Sequence, residues 1–85
     1  MRDEFYKRLL LLGIKKRLLE LVEASMMGAN EWSVSLPHLQ ALCANDWSIN
    51  RFKFEISTYN DLPWSIIFIK DTQWFIVKFV KKPIT

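Results

Sequence analysis

The 85-residue chain has a single cysteine, a single histidine, two glycines and three prolines. One cysteine excludes a disulfide within the chain and a thiolate-rich zinc site. One histidine, with no carboxylates at ligand spacing beside it, leaves no all-protein metal site. So little Gly and Pro excludes a low-complexity or disordered chain. No apolar run approaches the roughly 20 residues that cross a bilayer. The candidate, Leu9 to Ile14, is broken by Gly13 and followed at once by Lys15, Lys16 and Arg17. Asp3 and Glu4 do not suit the start of a signal peptide, and no small-residue cleavage site follows. These absences predict a cytoplasmic protein in a reducing setting, outside the membrane. A Ser-His-Asp spacing, a phosphate-binding glycine loop and a convergent carboxylate pair are also missing. Neither an enzyme nor a cofactor is expected, and the lone His38 reads as a surface or capping residue.

What is present is apolar surface. Hydrophobic residues make up 51% of the chain and aromatics 14%, enough to give one small domain over 1–85 a core despite its size. The net charge of +3 suits nucleic acid or an acidic partner without choosing between them.

Residues 1–28 read as a helix or helix pair. Leu11, Ile14, Leu18, Leu21 and Val22 recur at helical spacing, widened by Leu10 and Leu19. Gly13 is the point at which the segment would divide, and Gly28 with Asn30 supplies a stop. Leu9 and Leu12 fall off the main stripe, an excess that suits a homodimer or second-domain contact. Glu31 to Val34 is short and extended. Ser35 then suits an N-cap and Pro37 a first turn. Leu36, Leu39, Leu42 and Cys43 line one face of a helix ending near Ala44, with Cys43 a small buried hydrophobe. Asn45, Asp46 and Ser48 are turn and capping residues. Trp64 to Ile69 and Trp74 to Val80 are β-rich runs joined by Lys70 to Gln73, which predicts a hairpin within 64–82.

The segment between is ambiguous. Ile49, Phe52, Ile56, Tyr59 and Leu62 recur at helical spacing, while Phe52, Phe54, Ile56 and Thr58 alternate with polar residues as on a half-buried strand. A helix makes 35–62 a helix-turn-helix and the chain a small α+β winged helix-turn-helix, its helices followed by a C-terminal β-hairpin wing. A strand makes it two helices followed by a three-stranded antiparallel meander.

The stretches "KRLLELVEAS", "WSVSLPHLQALCANDWSINRFKFEIS" and "SIIFIKDTQWFIVKF" resemble the winged-helix domains of plasmid replication initiators, nearest to the C-terminal domain of the TrfA type. "SLPHLQALC", Ser35 to Cys43, is the best local match. The resemblance covers roughly Lys16 to Lys81. It implies a helix at the ambiguous segment and a role in replication initiation. The segment is less basic than a typical recognition helix, since Glu55 accompanies Arg51 and Lys53.

Under that reading Ser48, Asn50, Arg51 and Lys53 meet base edges in the major groove of double-stranded DNA, where Arg suits guanine and Asn suits adenine. Phe54, Ser57 and Thr58 lie farther along the same side. The wing would contribute Lys70, Thr72 and Gln73, and Lys81 and Lys82 would add backbone contacts. Trp32, Trp47, Trp64 and Trp74 suit core packing better than a stacking platform for single strands. The other reading is a protein-interaction domain without DNA binding, using the apolar N-terminal helix or an exposed sheet face.

Overall fold

The computed structural model describes residues 2–70 and 75–83. Asp3 and Glu4 occupy the first turn of helix α1 (Arg2–Leu10) and Lys7 and Arg8 its last, each sign at the helix end its dipole favours. Leu11 and Leu12 close that end with tight turns, their N–H groups donating to the Arg8 and Leu9 carbonyls. Gly13, with extended ψ, starts helix α2 (Ile14–Met26). The N-terminal segment is therefore a helix pair. The break also shifts the helical phase. Leu9, expected off the stripe, is buried at 2% exposure, whereas Leu11, expected on it, is 87% exposed. Leu10 is exposed too, and Leu12 packs against the core. A periodicity counted through residues 11–13 assumes a continuous helix that is not there.

Met27 ends α2 in the left-handed region, and Gly28 follows with φ +87. Strand β1 (Glu31–Ser35) leads directly into helix α3 (Leu36–Ala44). The Ser35 hydroxyl accepts from the His38 N–H, and Pro37 lies in the first turn where its missing N–H costs nothing. Helix α4 (Ile49–Ser57) follows a short turn, and strands β2 (Trp64–Lys70) and β3 (Phe75–Lys81) complete the described chain.

The sheet is antiparallel with order β1-β3-β2. The ambiguous segment is thus helical, and the meander expectation is corrected. The third strand comes from residues 31–35 and pairs with the last strand of the chain. Burial explains the outcome. A strand would bury Phe52, Phe54 and Ile56 alike, but the α3 and sheet surfaces accept only a helical stripe, Phe52 and Ile56, with Leu62 beyond it. Phe54 stays 72% exposed.

Period-two alternation puts Trp32, Val34, Ile66, Phe68, Val77 and Phe79 on the inner sheet face. Trp32 stacks on Phe79 and Trp64 meets it edge-on, both at 6.0 Å between centroids. Leu18 and Val22 of α2, Leu36, Leu39 and Cys43 of α3, and Phe52 and Ile56 of α4 complete the core. The outer face carries Ile67 and Ile69, both exposed, and an ion pair between Lys78 and Glu31 at 3.3 Å. These features define a small α+β domain of four helices and a three-stranded sheet. Among the described residues no helix is long and apolar enough to cross a membrane.

Candidate nucleic-acid interface

The turn between α3 and α4 is held from inside. The Gln40 carboxamide, almost fully buried, donates to the Ala44 carbonyl at 2.5 Å and to the Trp47 carbonyl at 2.6 Å. It supplies the donor for the Trp47 carbonyl and a second donor for the Ala44 carbonyl, which also accepts the Trp47 N–H. Ser48 then caps α4, its hydroxyl accepting from the Arg51 N–H at 3.1 Å. Of the residues expected to touch DNA, Ser48 thus has a structural task first.

With Phe52 and Ile56 facing the core, the helical repeat puts Phe54 at the centre of the opposite face. Asn50 lies one turn before it, and Ser57 and Thr58 one turn after. All are exposed. Arg51 and Lys53 fall to opposite flanks of this ridge, and each is held there by aromatic rings. The Arg51 guanidinium lies 3.8 Å over the Trp47 ring. The Lys53 ammonium lies 5.1 Å from the Phe68 ring and 5.6 Å from the Phe75 ring. Such cation–π contacts fix a charge in place while leaving it free to attract an anion.

Lys70 belongs to the same end of the hairpin, because it pairs in register with Phe75. Lys81 and Lys82 do not. Lys81 pairs with Trp64, six residues along the ladder and roughly 20 Å from Lys70 at the usual strand rise. Their N–H groups donate to the Asn30 and Pro63 carbonyls, and both residues line a cleft with Glu23, Asn30 and Trp64. The register thus sets Lys81 and Lys82 apart from Lys70 and the cations of α4. Thr72 and Gln73 lie outside the described residues, as does Trp74. Trp64 is buried, and Trp32 packs against the core.

Two residues that composition did not single out hold the scaffold. Arg17 donates to the carbonyls of Leu9 at 2.8 Å, Leu10 at 2.9 Å and Cys43 at 2.8 Å. It thereby closes the C-terminal ends of α1 and α3 together. Nothing in the run Lys15-Lys16-Arg17 distinguishes it. Gln40 did leave a signal, since a polar residue at spacing four and three between Leu36 and Cys43 lies on the buried stripe.

Burial pushes the Cys43 thiol up to about 12, against a smaller opposing pull from Arg17, which makes it a poor nucleophile and ligand. A hydrogen bond from Lys15 holds the Asp61 carboxyl below its usual range and ties α2 to the link before β2. Burial, with Glu55 adding, raises the Tyr59 hydroxyl. Among the described residues no three His, Cys, Asp or Glu side chains converge to hold a metal ion. No family model, curated protein or solved structure matches the chain.

Proposed function

We propose that the chain is a winged-helix domain that binds double-stranded DNA, with α4 as the recognition helix and the β2–β3 hairpin as the wing. The observation that carries this reading is the ridge of Asn50, Phe54, Ser57 and Thr58, flanked on each side by a positioned cation, Arg51 and Lys53. The element order supports it: a helix pair, a short strand, two helices joined by a tight turn, then a hairpin beside the second. A major groove admits a helix and presents phosphates on both walls. In this arrangement Asn50 pairs with adenine, and Arg51, Lys53 and Lys70 engage phosphates that fix the register. Repeated or palindromic origin sites are the target that the sequence resemblance to plasmid replication initiators would imply.

The test is fluorescence anisotropy of the purified chain with a labelled random duplex over a salt series. Binding that weakens steeply as salt rises is expected, because phosphate contacts release counterions. Arg51→Ala with Lys53→Ala should weaken it further. Absence of binding at low salt, or an unchanged double variant, overturns the reading.

A second reading has its own observation. Tyr6, Leu10 and Leu11 are exposed together around the end of α1, at 43%, 70% and 87%. This patch supports a protein contact with a second copy or a neighbouring domain, and the exposed Ile67 and Ile69 of the outer sheet face offer another apolar surface. Sedimentation or light scattering of wild type and Leu10→Glu tests self-association through the helix.

A further inference from the structure

We infer that Phe54 selects thymine, so that the sequence read by α4 is rich in A·T pairs; this rests on the DNA-binding reading above. Among the described residues Phe54 is the most exposed aromatic, at 72%, and it sits in the middle of the ridge. No described side chain covers it. Its neighbours on the ridge are uncharged: Asn50 one turn before, Ser57 and Thr58 one turn after. The charges that would otherwise dominate this face are drawn to its flanks, Arg51 onto Trp47 and Lys53 onto Phe68 and Phe75. A helix lying in a groove between two phosphate walls would place those cations against the walls and Phe54 against the base edges.

Only one feature of the major groove is apolar, the 5-methyl group of thymine, and aromatic contact with it is a recognised mode of base reading. Guanine and cytosine lack that methyl group and present donors and acceptors that the ring would strip of water without replacing. Asn50 reinforces the choice, since its carboxamide matches the paired donor and acceptor of adenine. Asn50 and Phe54 are about 6 Å apart along the helix axis, close to two base steps. The two side chains together therefore specify an adenine and a thymine within a short span. The Ser57 and Thr58 hydroxyls donate to the Phe54 and Glu55 carbonyls, at 2.6 and 2.7 Å, and impose no further base choice in that state.

The experiment begins with selection of bound duplexes from a randomised pool using wild-type protein. The selected duplex is then resynthesised with deoxyuridine in place of thymidine, which removes the methyl group and leaves the pairing intact. Wild type is expected to bind the deoxyuridine duplex about fourfold more weakly for each methyl contacted, the equivalent of about 0.8 kcal/mol for one buried methyl-sized group. Phe54→Ala, at an exposed position that should not disturb folding, is expected to bind both duplexes alike. Equal binding of the two duplexes by wild type overturns the role of Phe54 while duplex binding stands. Retention of the difference by Phe54→Ala overturns it as well. Failure to bind any duplex overturns the DNA-binding reading together with it.

Discussion

Arg17 and Arg51 are both arginines on helix surfaces, yet the regions around them are organised in opposite ways. Arg17 spends donors on three backbone carbonyls, at the junction where α1, α2 and α3 meet. Arg51 makes no such bond to a described residue. Its guanidinium rests on the face of Trp47, with its edge open to solvent. The junction uses charge to finish the fold, and the ridge keeps charge in reserve. A count of basic residues cannot see this, because the two contribute equally to a net charge of +3.

The comparison can be broken first at the junction. Arg17→Met should cost about 2–3 kcal/mol in urea unfolding, since it orphans carbonyls at two helix ends and removes charged hydrogen bonds. Arg17→Lys should recover little of this, because one ammonium cannot span the three acceptors. Equal stability of Arg17→Met and wild type would dissolve the contrast. Next in size, Gln40→Ala should cost about 1–2 kcal/mol by leaving the Trp47 carbonyl without its donor and removing one of the two donors to the Ala44 carbonyl. A measured change near zero would mean that water replaces the carboxamide freely.

Cys43 sharpens the same contrast through pH. Its folded thiol is raised to about 12, above the value near 9 of an exposed thiol, so folding holds the proton more tightly than the unfolded chain does. That contribution is complete below about pH 9 and is lost as pH rises toward 12. Stability should therefore fall between pH 9 and 11, by up to about 1.4 kcal/mol per pH unit from this group alone. The fall should be shallower in Cys43→Ala, and thiol reagents should modify the native protein only as fast as it opens. Rapid modification at pH 8 would contradict a buried thiol. Smallest in stability is Arg51→Ala, expected to change it by less than about 1 kcal/mol, the usual size of an exposed cation–π contact. Its effect should appear in binding instead, lowering the salt dependence by about one phosphate contact. Lys81→Ala, at the far end of the hairpin, should leave that dependence unchanged.

Much of the scaffold is legible in the order of residue types. Ser35 and Ser48 mark helix starts, Gly28 marks a stop, and two β-rich runs mark the hairpin, all by local chemistry that needs no distant partner. The short strand at 31–35 and the buried Cys43 follow in the same way. What is not legible depends on contacts distant in sequence. The register at Leu9 and Leu11 is set by how α1 is closed, which a periodicity running through Gly13 cannot report. The segment at 49–57 fits two periods equally, and only packing against α3 and the sheet selects the helix. At the candidate site, Asn50, Arg51, Lys53 and Phe54 were visible as a group. Their division into a ridge and two flanks was not, since it depends on Trp47, Phe68 and Phe75. The distance of Lys81 and Lys82 from Lys70 is likewise set by the strand register.

The position of β3 has a consequence for synthesis. It is the central strand of the sheet and the last element described, and β1 pairs with it alone, across more than forty residues of chain. Until β3 is made, β1 has no strand partner and only α2 and α3 beside it. Local helices can form during that interval, but the sheet cannot, and closing such a distant pairing is the slow kind of step. Trp32 and Val34 therefore lack their cross-strand partners, Phe79 and Val77, until that strand is added, and the domain core closes only then.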